Sequence, residues 1–307
     1  MSTPIHPNFA RRWALGAGMA AALAVAAPAA FAQNAAKYPG KTLTFVVPFA
    51  AGSATDQIAR ALGQALTQET GQAVVVENKG GASGMLAAQS VARAPADGYT
   101  VLITTNTTHA ANEHLYKKLP YDPVKDFAPV TGLGKGGQLL VVNAAAPYKS
   151  VKELVDYAKA NPGKLSFGSG SSSSRMAGEM LKQLAGVDIL HVPYKSNPLA
   201  LTDLLGGQID LMITDVSTGV PQVQAGIKGY NMGYWFAAYL PAATPPQLVS
   251  QLSNLLGKAV ESKQAAGFYA QSGTSRWHGT PDELAKFQAQ ETAKWGKVIQ
   301  AAGIQPE

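Results

Sequence analysis

Between Leu43 and Val47 the chain holds five apolar, aromatic or β-branched residues in a row, bounded by Pro48 and Gly52. A run of that length without polar alternation predicts a short strand covered on both faces, as in a parallel sheet. The period then changes. Phe49-Ala50-Ala51-Gly52 breaks the strand, and Ser53-Ala54-Thr55-Asp56 supplies the small hydroxyl and acidic residues that cap helices. Behind them Ile58, Leu62, Ala65 and Leu66 recur at helical spacing. A strand, a tight turn and a helix N-terminus gather free N–H groups and the positive end of a helix dipole at one point. That is anion-binding geometry, and it needs no catalytic side chain.

The alternation continues. Residues 73–77 predict a buried strand, 79–84 a glycine-rich turn, 85–93 a helix, 95–98 a turn and 99–104 a third strand. This is a βαβαβ unit, which implies a mostly parallel sheet with right-handed crossovers. A second series begins with a strand at 138–143. Ser150 caps a helix to about residue 160, with Val151, Leu154, Val155 and Ala158 on its apolar face. A strand from Leu165 runs into Gly168, Ser169, Gly170, Ser171, Ser172, Ser173, Ser174 and Arg175, behind which Met176, Met180 and Leu181 mark another helix. Strand, Gly/Ser turn and helix start repeat the design of residues 42–56. Two such termini, one per domain, are suited to close on one anion. Strands at 189–193 and 209–213, the latter leading into Thr214-Asp215, a helix at 200–205 and two proline-started helices at 245–262 and 281–302 complete the series.

Composition adds a compartment. Arg11-Arg12, an Ala-rich apolar run over residues 14–30 and the small-x-small triplet Ala30-Phe31-Ala32 mark residues 1–32 as a cleavable signal peptide, too short and too weakly apolar for a membrane span. Its removal leaves 275 residues and lowers the net charge from +6 to +4, a size that suits one large or two modest domains. With 46% hydrophobic and 14% charged residues, the chain can bury a sizeable core. The absence of cysteine excludes a disulfide scaffold, thiolate catalysis and a lipid-anchoring cysteine after the leader. A periplasmic protein, not inserted in the membrane once the leader is gone, is expected. The lysines are scattered, without a basic run or interleaved aromatics, so nucleic acid is not an expected partner.

Three chemical motifs fail their context. Gly132-Leu133-Gly134-Lys135-Gly136-Gly137 satisfies G-x-G-x-x-G, yet strand-like residues 138–142 follow where the dinucleotide fingerprint requires a helix. The glycines read instead as a flexible inter-domain crossing, and no cofactor is expected. His109-Ala110-Ala111-Asn112-Glu113-His114 matches neither zinc-protease spacing, and no metal is expected. The serine turn contains no G-x-S-x-G and has no histidine beside it in sequence. It is either a solvated loop or a device that captures a carboxylate or phosphate with hydroxyls and N–H groups.

Further stretches carry a resemblance. Val47-Pro48-Phe49-Ala50 with Asp56 and Ala59-Arg60, Val76-Glu77-Asn78, Pro95-Ala96-Asp97-Gly98-Tyr99-Thr100, Leu119-Pro120-Tyr121-Asp122-Pro123, Ala177-Gly178-Glu179, His191-Val192-Pro193-Tyr194-Lys195 and Trp295-Gly296-Lys297 span nearly all of the mature chain. In these the chain resembles the extracytoplasmic solute-binding receptors of tripartite tricarboxylate transporters, the Bug or TctC receptor family. The resemblance implies an α/β, two-domain, type II periplasmic-binding-protein (Venus-flytrap) architecture, each domain a mostly parallel sheet flanked by helices. Residues 33–135 plus 230–307 would form domain 1 and 136–229 domain 2.

In that family a ligand carboxylate sits between the loop after the first strand and the Gly/Ser loop of the second domain. Carried over, these are Phe49, Ala50, Ala51, Gly52, Ser53, Ala54, Thr55 and Asp56, facing Ser169, Gly170, Ser171, Ser172 and Ser173. Thr105, Thr108 and His109 match a hydroxyl/His segment after the third strand, His109 as a packing residue. Asp215 matches an acidic position that in some members selects a ligand amine; helix capping is its other reading. Two departures stand out. Arg175 replaces a frequent His, either to meet a second carboxylate or to face solvent. Gln224-Ala225-Gly226, at the end of a helix at 220–225, joins directly to Ile227-Lys228-Gly229 where the family inserts an apolar strand and a proline-containing segment. That join reads as an internal deletion that truncates domain 2 and costs its sheet a strand.

The function so implied is capture of a small organic carboxylate (mono-, di- or tricarboxylate, or an amino acid) by domain closure, with delivery to the membrane subunits of a tripartite tricarboxylate transporter. The protein is expected to be monomeric, and not an enzyme. A sensing receptor of the same fold is the alternative, and a serine-type hydrolase the weakest.

Overall fold

The computed structural model describes residues 38–215, 233–301 and 303–306. The chain divides into two units, residues 1–40 and 41–307, and the fold described is that of the second. The expected leader, the helix at 220–225 and the join after Gly226 lie outside the described residues.

Strand β1 (Leu43–Val47) lies between parallel neighbours, β2 (Val74–Asn78) and β3 (Thr100–Thr105), which is why its sequence is apolar without alternation. Strand β2 sits at the sheet edge, and its residues accordingly alternate between half-buried and exposed. Helix α1 (Ala54–Thr70) starts where Ser53 Oγ accepts the Asp56 N–H at 3.3 Å and stops at Gly71, whose φ of 75° few other residues tolerate. Ile58 and Leu62 on its inner face have no exposed surface, worth about 1.5–3 kcal/mol each relative to exposure. Helix α2 (Met85–Ala92) makes the next crossover; a π-helical turn, Thr107–Ala111, and α3 (Asn112–Leu115) follow β3.

Strand β4 (Phe127–Val142) is sixteen residues long and joins two sheets. Past it come α4 (Val151–Ala160), β5 (Ser166–Ser169), α5 (Ser172–Ala185), β6 (Leu190–Pro193), α6 (Asn197–Leu205) and β7 (Leu211–Asp215). Strand β5 pairs in parallel with β6 and β7, repeating the three-strand parallel core of the first series. Strand β8 (Gly233–Pro241) returns antiparallel between β3 and β4, while the far end of β4 pairs antiparallel with β7. The strand order is β2-β1-β3-β8-β4-β7-β5-β6. The architecture is the two-lobed α/β one expected, with parallel cores bridged by antiparallel connectors. Helices α7 (Pro246–Glu261), α8 (Lys263–Ser272) and α9 (Pro281–Ala301), with the short β9 (Ser275–Arg276) against β4, complete the chain. Among the described residues no helix is long and apolar enough to cross a membrane.

Each sheet has its own core: Val46, Leu102, Trp235, Tyr239 and Trp295 in the first, Leu154, Phe167, Leu181, Leu211 and Ile213 in the second. The glycine run expected as a flexible crossing is instead part of continuous strand β4. Large aromatics explain it. A Cβ at Gly132 would overlap the Trp277 ring, and one at Gly136 the Tyr234 phenol. Helix α6 begins at Asn197, three residues ahead of the expected start, with Pro198 in its first turn. Residues 233–241 and 263–272 carry elements that the pattern alone did not mark, because an apolar run such as Tyr234 to Leu240 fits strand or helix equally by period.

Candidate functional site

Three helices begin around one small cavity. Helix α1 is capped by Ser53; α5 is capped by Ser171, whose Oγ accepts the Ser174 N–H at 3.2 Å; α6 follows Ser196. The cavity, about 30 Å³, is lined by Phe49, Ser53, Ala54 and Thr55, by Thr105 at the end of β3, by Gly170, Ser171 and Ser173, by Asn197, by Asp215 at the end of β7, and by Tyr234 and Phe236 of β8. That volume takes about two water-sized bodies, the scale of the two oxygens of a carboxylate. None of the described lining residues is Lys or Arg, so the helix termini and hydroxyls supply the positive and donor character.

The first loop is held from behind by Asp56. Its carboxylate accepts from the Gly52 N–H at 2.9 Å, Asn78 Nδ2 at 3.0 Å and Arg60 Nε at 3.0 Å, with Arg60 Nη2 on its other oxygen at 2.9 Å. Burial alone would raise its pKa, but the Arg60 side chain, the Gly52 N–H and Asn78 together hold it below its ordinary 3.8. Gly52 takes a φ of +81°, which the tight turn needs. Asp56 thus braces the loop and does not line the cavity. Replacing it with Asn leaves Arg60 and the Gly52 N–H without their anion. Asp56→Asn is expected to cost about 2–3 kcal/mol, less than a fully buried pair because Arg60 is half exposed. A guanidinium titration of both proteins measures it, and an unchanged midpoint would show that the brace is dispensable.

Asn197 organises the opposite side. Its Oδ1 accepts the Gly170 N–H at 2.9 Å and its Nδ2 donates to Asp215 Oδ2 at 3.1 Å. Sequence reasoning missed this residue, although Ser196-Asn197-Pro198 after a strand is a helix-start signal. It also missed Tyr234 and Phe236, which share one face of β8. Tyr234 bonds Thr274 Oγ1 at 2.8 Å; burial, with Asp215 nearby, pushes its pKa up to about 12, so it meets the cavity as a neutral phenol.

Of the expected site residues, nine line this cavity: Phe49, Ser53, Ala54, Thr55, Thr105, Gly170, Ser171, Ser173 and Asp215. Ala50, Ala51 and Gly52 shape the turn behind Ser53, whose N–H bonds the Ala50 carbonyl at 3.1 Å. Thr108 Oγ1 is engaged by Thr104 at 2.6 Å and by His109 Nδ1 at 2.8 Å. Ser169 Oγ lies 2.7 Å from His191 Nε2, a pairing made by the parallel register of β5 and β6. Ser172 Oγ donates to Asn112 Oδ1 at 3.2 Å, tying the start of α5 to α3.

The model of the tripartite tricarboxylate transporter family receptor matches this chain over residues 58–227 and 217–304. A Pseudomonas sp. (strain P51) protein, described as the UPF0065 protein in the tcbD-tcbE intergenic region, is 33% identical over 325 residues, covering 96% of each chain. That alignment is longer than the present chain's 307 residues, so the relative has positions without a counterpart here. Among solved structures, R. palustris Rpa4515 with adipate superposes with a TM-score of 0.83 at 32% identity, over 88% of this chain and all of that one. Periplasmic binding protein BugD gives 0.82 at 30%, with the same coverage.

Proposed function

The chain belongs to the tripartite tricarboxylate transporter receptor family, and from that premise we propose that it captures a small organic carboxylate in the periplasm and hands it to the membrane subunits of such a transporter. The family is one of periplasmic solute-binding receptors rather than enzymes. What carries the reading is the convergence of three helix N-termini and the hydroxyls of Ser53, Thr55, Thr105, Ser171 and Ser173 on a cavity of carboxylate size. The ligand carboxylate accepts from residues 53–55 and 170–173, which stand on different sheets. Its arrival favours the closed form, because it contacts both sides only there. The neighbour Rpa4515 was solved with adipate, a ligand that carries such a group.

In this reading residues 1–32 direct export and are removed, residues 33–135 plus 230–307 and residues 136–229 are the two closing lobes, and the mature chain works as a monomer. Domain 2 lacks the segment that relatives carry after the position of Gly226. Asp215, at the end of β7 in the cavity wall, gives an amine on the ligand a partner.

The test is a thermal-shift and turnover assay of the mature chain with mono-, di- and tricarboxylates and amino acids. A ligand at about a hundred times its Kd adds about 2.7 kcal/mol, a rise of about 5–10 °C for this size. Failure of every carboxylate to stabilise, or product formation that Ser171→Ala abolishes, would sink the proposal. Growth on the identified ligand, with and without the gene, divides delivery from sensing. Asp215→Asn is expected to reduce the preference for amino-dicarboxylates over plain ones by about tenfold, one lost charge-assisted hydrogen bond. An unmoved ratio removes the amine selector.

A further inference from the structure

The wall of the cavity is of two kinds. Hydroxyls and N–H groups at residues 53–55, at Thr105 and at residues 170–173 suit the oxygens of a carboxylate, whereas Phe49, Tyr234 and Phe236 present aromatic carbon. Tyr234 belongs with the second kind. Its hydroxyl is engaged by Thr274 Oγ1 at 2.8 Å, and Thr274 is not among the described lining residues. A ligand whose carboxylate lies on the donors therefore turns its adjoining carbon toward these rings. A volume of about 30 Å³, filled by the carboxylate, leaves that carbon little room for a branch.

Tyr234 is also held in place from behind. Its register partner on β4 is Gly136, and a Cβ there would overlap the phenol. Thr274 Oγ1 in turn accepts from Ser272 Oγ at 2.7 Å, and the Thr274 N–H donates to the same Ser272 Oγ at 3.2 Å. Tyr234, Ser272 and Thr274 are all buried. The Tyr234 ring meets Phe236 at 5.1 Å between centroids, and Phe236 meets Phe268 of α8 at 6.2 Å. Gly136, Ser272, Thr274 and Phe268 stand outside the described wall. Their shared effect is to fix a bulky ring where a smaller side chain would leave a larger cavity.

We propose that Tyr234 is a specificity-determining residue of this cavity. Its ring closes the space beside the carboxylate position, so the protein takes carboxylates with an unbranched carbon skeleton next to the carboxyl group and refuses those with a bulky carbon branch there. The inference rests on the carboxylate reading of the cavity and narrows it to a substrate class. Mis-sized hydrophobic groups in a packed pocket are discriminated by about tenfold or more, which sets the scale of the effect.

Calorimetric titration of the mature chain with straight-chain carboxylates and their 2-ethyl and 2-phenyl counterparts tests this. Wild type is expected to bind the best straight-chain member at least about tenfold tighter than its branched counterparts. Tyr234→Ala should bring them within about threefold, by gaining affinity for the branched members. Tyr234→Leu should lose less of the preference than Tyr234→Ala, and Tyr234→Phe, which keeps the ring, less than Tyr234→Leu. Thr274→Val, outside the wall, unties the ring and should erode the preference in part. A wild type that binds branched and straight members equally overturns the proposal, and that measurement stands even if the smaller variants fail to fold. A folded Tyr234→Ala or Tyr234→Leu protein that keeps the full preference overturns it too, as does a loss that does not follow side-chain size. If no carboxylate of either series binds wild type, the carboxylate reading of the cavity is what falls.

Discussion

Gly170→Ala is expected to cut carboxylate affinity by at least about a hundredfold and to lower stability by about 1–3 kcal/mol. A Cβ at Gly170 would overlap the carbonyl carbon of Ser196 and the nitrogen of Asn197. Both obstacles are backbone, so no side chain can swing aside, and the turns that open α5 and α6 must move apart. The movement breaks the 2.9 Å bond from the Gly170 N–H to Asn197 Oδ1, and with it the hold that Asn197 has on Asp215. Three of the groups around the carboxylate cavity therefore shift together, which is why one methyl group costs more in binding than in folding. Gly137→Ala is the control, since a Cβ there meets nothing within 4 Å among the described residues. Calorimetry and chemical denaturation of both variants read the two effects. A Gly170→Ala protein that binds within threefold of wild type would show that the close approach of the two turns is not part of the site.

That clash also marks where local sequence stops informing. The turns at 53–55 and 170–173 were legible because a strand followed by hydroxyl caps obeys rules that span a few residues. Their meeting is a matter of strand order. It depends on β4 crossing between the sheets and on β8 returning between β3 and β4, pairings from 69 to 137 residues apart in sequence. Tyr234 and Phe236 reach the cavity by that return, and no periodicity in their own neighbourhood announces it. Asp56 was legible as an acid in a first turn, but its pairing with Arg60 four residues later emerged only from the structure. Whether the carboxylate faced the ligand or the loop depended on Asn78, brought in by β2. The glycines of β4 misled for a related reason: they are small because Trp277 and Tyr234 are large, and only the fold sets those residues side by side.

Acid is expected to weaken the protein well above the range in which carboxylates titrate, because of His109. The ring is fully buried, stacked on Tyr239 at 3.9 Å between centroids and edge-on to Phe127 at 4.7 Å. Its Nδ1 meets Thr108, while its Nε2 meets no protein partner among the described residues. Burial without a counter-charge holds the imidazole neutral and pulls its pKa from 6.5 to about 3. Below pH 6.5 the unfolded chain takes up a proton here that the folded chain refuses until about pH 3. The unfolded form thus binds more protons across that window, and stability falls as the pH falls, by about 1.4 kcal/mol per unit once the window is entered. Between pH 6.5 and 4.5 the loss from this one residue is about 2–3 kcal/mol, or about 5–10 °C in Tm. Asp56 adds its share lower down: its depressed pKa gives stability that is present above pH 3.8 and is lost as the pH drops through the lower folded value. His109→Phe keeps an aromatic ring on Tyr239 and removes the titrating nitrogen, so its melting temperature should stay nearly level from pH 6.5 to 4.5 while that of wild type declines. Parallel curves for the two proteins would mean that the acid sensitivity lies elsewhere. At neutral pH the substitution trades the Thr108 bond for relief of the unpartnered Nε2, and the two should nearly cancel, which leaves the slope, not the height, of the stability curve as the signature of this histidine.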